Sequence, residues 1–406
     1  MLRALEQGVK GGVWFSLIDK VWDPRNLQAA WRKVQVNGGA AGVDHQSVQE
    51  FARDAERHLA QLADHLRQGT YRPQAVRRVW IPKPGSDQER PLGIPTVRDR
   101  VVQGALRHVL EPIFERGFAP HSYGFRPGRG CPEALQRVDQ LLEAGYRYVV
   151  DADLQSYFDT IPQDRLLETV RRKVADGRVL ELLQAYLEQG VLDGLARWTP
   201  AAGTPQGAVL SPLLANLYLD ALDHRMADLG YEMVRYADDL VILCPTAEQA
   251  QAALAELQNW TAQAGLRLHP TKTRLVDAET EGFEFLGYRF ERGYKFPRDK
   301  SLAKLKEAVR SKTRRCEGRS LSCIVNDLNR TLKGWYGYFK DSDGNRFARL
   351  DQWIRTRLRS ILRRRSRRPG PGRGADHQRW PNAFFTALGL FSLKAAQAAY
   401  RQSPSG

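Results

Sequence analysis

Two adjacent carboxylates, Asp238 and Asp239, lie in the segment Tyr236-Ala237-Asp238-Asp239, between the apolar arms Met233-Val234 and Leu240-Val241-Ile242-Leu243. The pattern predicts a β-hairpin with paired acids at its turn. Folding alone gives little reason to set two like charges side by side, whereas a divalent cation neutralises both. Asp153 ends a second apolar strand far upstream, in RYVVDADLQSYFDTI. Three carboxylates on two strand ends can hold a pair of Mg²⁺ ions for phosphoryl transfer. Hard cations take oxygen ligands, and two ions about 3.5–4 Å apart serve both the attacking hydroxyl and the leaving pyrophosphate. Asp151 shares the strand-face parity of Asp153, and Asp159 also flanks the strand end, so both stand as rival ligands. Taken alone, an Asp-Asp turn is more simply a solvated polar turn. The order of motifs reverses that balance: an acid-ended strand, the loop Gly203-Thr204-Pro205-Gln206-Gly207 before a helix, the Asp-Asp hairpin, and a turn bearing Lys272 follow in succession.

The elements that must position these groups can be read in outline. Residues 1–70 are mostly helical and polar, with a Gly-rich break at 37–42. Residues 71–100 switch to strand and turn chemistry. Alternation over Val76–Ile81 and the turn Pro84-Gly85-Ser86-Asp87 predict a basic hairpin flanked by Lys83 and Arg90. Helical spacing resumes over 99–114, a strand is expected at 147–154, and a helix at 163–174. Ser211 as N-cap and Pro212 in the first turn open a helix with the apolar stripe Leu213, Leu214, Leu217 and Leu222. The hairpin at 233–244, a helix over 246–264 and a strand pair at 266–275 and 284–290 follow. Beyond 301 the pattern is mainly helical, broken at Arg368-Pro369-Gly370-Pro371-Gly372.

Charge divides the chain. Residues 301–406 hold 24 Lys and Arg against 7 Asp and Glu, a net of +17, while residues 1–300 come to −1. A near-neutral body joined to a strongly cationic end predicts a polyanionic partner, and aromatics and glycines interrupting the charge point to nucleic acid. The four cysteines form no Cys-x-x-Cys pair, which argues against a zinc module and against a disulfide scaffold. No apolar stretch has signal-peptide character or the length of a membrane span.

The ordered set IPKPGSDQERPLGIP, SYGFRPGRG, VVDADLQSYFDTIPQDRLL, GTPQGAVLSPLLANLYLD, RYADDLVIL, LHPTKT, FEFLGYRF and LKGWYGYF resembles a reverse transcriptase over nearly the whole chain. It is most similar to the reverse transcriptase–maturases encoded by bacterial group II introns. That resemblance implies an α+β right-hand polymerase: fingers at 1–110, a palm with an antiparallel sheet at 111–300, and an α-helical thumb or maturase domain at 301–406 with a basic tail. It implies Asp153, Asp238 and Asp239 as catalytic metal ligands, with the Leu154 carbonyl as a further oxygen; Phe158, five residues after Asp153, favours that choice over Asp151. It implies Lys83 and Arg90 on the triphosphate, Phe158 as a gate against a ribose 2′-hydroxyl, Gln206 and Gly207 at the nascent base pair, and Lys272 as proton donor to pyrophosphate. Ala208 departs from the commoner pattern, in which a second glycine follows, and puts the local backbone in question.

The same resemblance implies that Arg126, Arg129 and Tyr236 fall by the template or primer, and that Leu286 and Gly287 form the turn that supports the primer end. Trp335, Tyr338, Arg355, Arg363, Arg364 and Arg365 are the expected RNA-binding residues; arginines at spacings of two and four cannot share one helix face, so several should point outward. The implied cofactors are two Mg²⁺ ions, with Mn²⁺ as substitute. The implied partners are group II intron RNA, an RNA template with a DNA primer, a DNA target and dNTPs, with no zinc and no membrane. The family's optional endonuclease domain is expected to be absent, leaving a cleaved or nascent strand as primer source. The expected location is the bacterial cytoplasm, on the nucleoid when bound to DNA. Two rivals remain: a non-catalytic RNA-binding maturase, and a stand-alone reverse transcriptase for repair or phage defence.

Overall fold

The computed structural model describes all residues except 1–4, 6, 7, 10, 83–88, 317, 369–373 and 403–406. The chain divides into two compact units, Met1–Leu275 and Val276–Gly406. In chain order the strands of the first are β1 (Val76–Pro82), β2 (Glu89–Ile94), β3 (Tyr148–Asp153), β4 (Val191–Asp193), β5 (Ala196–Trp198), β6 (Glu232–Tyr236) and β7 (Asp239–Cys244). β8 (Arg274–Asp277) runs across the division, and the second unit adds β9 (Phe283–Phe285), β10 (Tyr288–Glu291) and β11 (Tyr294–Pro297).

A four-stranded sheet in the order β6-β7-β3-β8 forms the centre of the first unit. β7 is buried along Leu240–Cys244, and in β3 Val149, Val150 and Ala152 are buried. Such continuous apolar runs mark strands covered on both faces. Helices Cys131–Glu143, Ser211–Asp228 and Ala247–Gln263 pack on these strands. The helix Ser211–Asp228 is apolar nearly all round, burying Leu213, Leu214, Leu217, Leu219, Leu222 and Met226, as a helix through the middle of a core must be. It begins one residue before the expected start, with Leu210 rather than Ser211 at the N-cap position; the Ser211 hydroxyl instead donates to the Pro205 carbonyl at 2.8 Å, tying the helix to the preceding loop.

The expected basic hairpin is β1–β2, antiparallel, with Trp80 opposite Pro91 and Ile81 opposite Arg90. It belongs to a second sheet ordered β2-β1-β4-β5, whose short β4–β5 hairpin was not foreseen. The strand pair expected at 266–275 and 284–290 is arranged differently. Leu268 makes a lone antiparallel bridge to Leu154, while β9, β10 and β11 form a three-stranded meander. The rest of the second unit is helical, with its long members at Asp299–Lys312, Leu321–Phe339, Arg346–Arg365 and Leu393–Gln402. Asp351 accepts from the Ser392 hydroxyl and from the N–H groups of Leu393 and Lys394, which docks the last helix. Together these are the α+β elements expected. No helix among the described residues is long and apolar enough to cross a membrane.

In the first unit, Asn26 donates to the carbonyls of Lys20 and Ala105, so its side-chain oxygen is left to accept from His108 Nδ1–H at 2.9 Å. Burial, with help from Lys33 and Arg107, lowers the His108 pKa from 6.5 to about 4. Between those values only the unfolded chain takes up the proton, so stability present above pH 6.5 is lost as the pH falls toward about 4. Thermal melts at pH 7 and pH 5 should show wild type losing about 1 kcal/mol more than His108→Gln, after discounting for the partly solvated ring.

Candidate active site

β6 and β7 leave a two-residue loop, Ala237-Asp238, closed by the Tyr236–Asp239 pair. Ala237 has φ of 60° and Asp238 does not, the sign pattern of a type II′ turn, where glycine is usual. A left-handed alanine costs about 1–2 kcal/mol, so the surroundings must hold it. Gly124 presses on it from outside: a Cβ there would fall 2.3 Å from the Ala237 nitrogen.

The β3–β7 register sets Asp153 directly opposite Asp239. The two rival acids go elsewhere. Asp151 faces Val241 and pairs with Arg274 at 3.1 Å, and Asp159 accepts from the Gln206 amide at 3.1 Å. Burial raises the Asp238 pKa, and the charge of Asp153 raises it further, against Arg235 and Lys272. Lys272 makes an ion pair with Asp153. Among the described residues no three Asp, Glu, His or Cys side chains already converge as a closed metal cluster. The donor set nonetheless suits a hard divalent ion: carboxylates at adjoining positions of one sheet end repel, and one of them already draws a cation. At the bridge between Leu154 and Leu268 the bonds use the Asp153 carbonyl and the Gln155 N–H, not the polar groups of Leu154.

After β3 the chain turns through Ser156 (φ 49°), which buries Tyr157 and leaves Phe158 half-buried, edge-on to Tyr157 at 5.6 Å. The loop Gly203–Gly207 is fixed by its backbone on two sides. Gly203 and Thr204 N–H donate to Ile161 and Phe158 carbonyls, and Gly93 N–H donates to the Gln206 carbonyl at 2.6 Å. Gly207 has φ of 100°, and a Cβ there would meet the Gly93 carbonyl oxygen at 2.5 Å. Ala208 is buried with no positive φ, so a second glycine is not required. Gly203, Thr204, Pro205 and Gln206 also line a cavity of about 440 Å³, with Gly93, Arg78, Asp159 and Trp198 around them. Arg90 is exposed on β2, and Lys83 lies outside the described residues.

The loop 121–130 corrects one expectation. Arg126 does not face outward: it pairs with Glu115 at 2.7 Å and donates to the carbonyls of Ala119 and Ser122. A buried guanidinium with these partners braces the loop and has no open face for a phosphate. Arg129, half-buried, lies over the Tyr123 ring and donates to the Pro120 carbonyl. The exposed aromatic here is Phe125, 6.5 Å from Tyr236, whose phenol is pushed up to about 12 by burial and by the Cys131 thiol.

In the second unit Leu286 (φ 46°) and Gly287 (φ 85°) form the β9–β10 turn. Tyr338 donates to the Leu286 carbonyl at 2.6 Å and accepts, through its own carbonyl, from Tyr288. Trp335 is not an open contact face; it packs between Phe339 and Phe347 because it continues the stripe of Leu328 and Leu332. The arginine series is split. Arg363 pairs with the buried Asp376 at 2.7 Å, which needs a counter-charge, and Arg365 donates to the Arg319 carbonyl. Arg355 is half-buried and Arg364 is exposed. Four residues around the hairpin tip escaped sequence reasoning: Arg235, Asp223, Asn216 and Ser122, all buried. A charged residue within an apolar strand arm was the available signal.

Residues 81–290 match the family model described as reverse transcriptase (RNA-dependent DNA polymerase), and residues 302–380 match the group II intron maturase-specific domain. This chain belongs to the reverse transcriptase family, in its group II intron-encoded branch. It joins an RNA-directed DNA polymerase to an intron-maturase domain, and the family depends on a divalent metal. Protein YkfC of Escherichia coli is 35% identical over 318 residues, covering 68% of this chain and 83% of its own. The group II intron-encoded protein LtrA of Lactococcus lactis is 36% identical over 220 residues, covering 54% of this chain and 36% of its own. Among solved structures, a chain of a partial Cas6-RT-Cas1–Cas2 complex is 23% identical, covers 61% of this chain and 41% of its own, and has a TM-score of 0.38.

Gly207→Ala in this reverse transcriptase combines a forbidden φ with a clash against the Gly93 carbonyl. It should cost about 2–3 kcal/mol in a denaturant melt and raise the nucleotide KM.

Proposed function

We propose that the chain extends a DNA primer along an RNA template with dNTPs, using two Mg²⁺ ions (Mn²⁺ as substitute) held by Asp153, Asp238, Asp239 and the Leu154 carbonyl. The observation that carries this reading is the β3–β7 register, which sets Asp153 across from Asp239 with Asp238 beside it. Bound ions would make the primer 3′-hydroxyl nucleophilic and neutralise the departing pyrophosphate. Arg90, with Lys83, orients the triphosphate and offsets its charge. Phe158, half-buried, closes the space a ribose 2′-hydroxyl would need. Gln206 is held by its backbone to β2 and by its amide to Asp159, so it can meet a nascent base pair without reorganising. Lys272, ion-paired with Asp153, is the proton donor to pyrophosphate in this reading. Arg129 and Tyr236 are assigned to the template and primer, and the Leu286-Gly287 turn, braced by Tyr338, to the primer end.

The same reading divides the chain into fingers (1–110), palm (111–300) and thumb or maturase domain (301–406). The match of residues 302–380 supports binding of a group II intron RNA, help in its splicing, and reverse transcription into a DNA target during retrohoming. Arg355 and Arg364 are the RNA contacts this reading favours.

Primer extension on an RNA template tests the chemistry. Wild type with Mg²⁺ and dNTPs should yield full-length DNA, and Asp238→Asn/Asp239→Asn should fall by about 10³-fold or more. Equal extension by the two proteins would sink the carboxylate assignment, and no extension by either would favour a non-catalytic maturase. Intron RNA binding should weaken linearly on a log–log salt plot, losing about 10³-fold between 50 and 200 mM salt. A flat response would exclude a phosphate-dominated contact.

A further inference from the structure

The catalytic hairpin rests on a buried cation that no metal or substrate needs to touch. Arg235 lies on β6 two residues before Ala237 and is fully buried. Its five N–H donors meet five acceptors. Nε and Nη2 form a two-pronged pair with Asp223, Nε to Oδ1 at 2.7 Å. Nη2 also donates to the Ser122 hydroxyl at 2.7 Å. Nη1 donates to the Asn216 side-chain oxygen at 3.0 Å and to the Ala237 carbonyl at 2.8 Å. Asn216 in turn donates to the Gly124 carbonyl at 2.7 Å, and Gly124 is the residue packed against Ala237.

The geometry points to Arg235 as a positioning residue for the metal-binding carboxylates: by drawing the Ala237 carbonyl inward it fixes the peptide plane from which Asp238 departs. The Ala237 carbonyl and the Asp238 N–H share one rigid plane, so pinning the oxygen sets where the Asp238 side chain begins. The same bond holds Ala237 at a positive φ that alanine otherwise avoids. Asp223, on the helix Ser211–Asp228, neutralises the buried charge and transmits the position of that helix to the tip. Without it the guanidinium would be an uncompensated buried cation. Ser122 and Gly124 tie in the loop before the helix Cys131–Glu143, so three separate stretches of chain converge on one peptide group. Neither Arg235 nor Asp223 touches substrate in this scheme; both act through Asp238 and Asp239. The inference rests on the reading of those two acids as metal ligands.

The test uses the full chain with primer–template. Arg235→Lys keeps the charge but cannot serve Asp223 and Ala237 together. It should lower kcat by about 100-fold with the dNTP KM within about threefold, the cost of a misplaced catalytic group. Mn²⁺ affinity, read by electron paramagnetic resonance without turnover, should fall by about 10-fold or more. Adding Ala237→Gly, which takes the positive φ freely, should recover most of both losses. Tyr71→Phe, which removes a buried hydrogen bond to Asp99, is the stability control: its Tm falls while Mn²⁺ affinity holds. Should Arg235→Lys fail to fold, Asp223→Asn loosens the fork from the other side and carries the same readouts. The inference is overturned if either variant loses Tm as Tyr71→Phe does but keeps Mn²⁺ affinity and kcat, or if Ala237→Gly restores nothing. Asp238→Asn/Asp239→Asn separates the two claims. Unchanged Mn²⁺ affinity there removes the carboxylate reading and this inference with it; lost affinity there beside a silent Arg235→Lys removes the inference alone.

Discussion

Like charges brought together at the end of a sheet are the constraint around which the first unit is organised. Asp153 and Asp239 are cross-strand partners, with Asp238 adjoining. Two carboxylates about 5 Å apart repel by roughly 3 kcal/mol at the effective dielectric of about 20 that suits protein sites. Local structure cannot hold them there, since the segments are far apart in sequence. The ladder from Tyr148–Cys244 to Asp153–Asp239 does so, and its strength comes from burial away from the acids. Val149, Val150, Ala152 and Leu240 through Leu243 are all inside. At about 1.5–3 kcal/mol for each large apolar side chain, the buried part of the ladder exceeds the repulsion at its end. The direction of the Asp238 shift fits this account, for its carboxyl is pushed up by burial and by the charge of Asp153.

The Gly203–Gly207 loop beside that end is held largely by main-chain bonds. The loop carrying Gln206 is tied by Thr204 to Phe158, by Gly203 to Ile161 and by Gly93 to Gln206, each through backbone N–H and carbonyl groups. Such bonds are indifferent to side-chain identity except where a Cβ intrudes. Gly203 and Gly207 are restricted by approaches of 2.6 and 2.5 Å, whereas Ala208 takes an alanine without strain. Phe158 and Gln206 therefore share one rigid piece, and the side chain of Gln206 is further oriented by Asp159. Asp159 thereby has a task that competes with metal binding, as Asp151 does in its pair with Arg274.

The strands and helices that carry the chemistry were legible because each has a strong local signal. Apolar runs ending in acids gave β3 and the β6–β7 hairpin, and Ser211-Pro212 gave the start of the central helix. The three-dimensional partners of charged residues were not legible. Arg126 and Trp335 read as nucleic-acid contacts, since arginine between aromatics looks the same in sequence whether it faces phosphate or a buried carboxylate. Arg126 found Glu115, eleven positions upstream, and Trp335 found Phe339 and Phe347. Arg235 was passed over for the converse reason: an isolated arginine in an apolar arm has no motif, and its partner Asp223 lies on a helix whose spacing marks only the leucines. The β4–β5 hairpin was missed because three-residue strands carry too little alternation to register.

The second unit shows why the excess positive charge of residues 301–406 cannot be read as so many free contacts. Arg357 donates to Thr313, Arg359 to the Trp380 carbonyl and Asn382, and Arg365 to the Arg319 carbonyl, all neutral acceptors. A guanidinium bound to a carbonyl keeps its charge while losing its rotamer freedom. These arginines thus still contribute to a positive field that attracts a polyanion, and they do so from fixed positions with no ordering cost at binding. Arg363 differs, because Asp376 cancels its charge. Attraction and contact are therefore divided between residues: buried and pinned arginines set the field, and exposed ones such as Arg364 are left to meet individual phosphates. A cationic helix built this way stays folded despite its self-repulsion, because each pinned charge is also a hydrogen-bonded strut to a neighbouring loop or helix end.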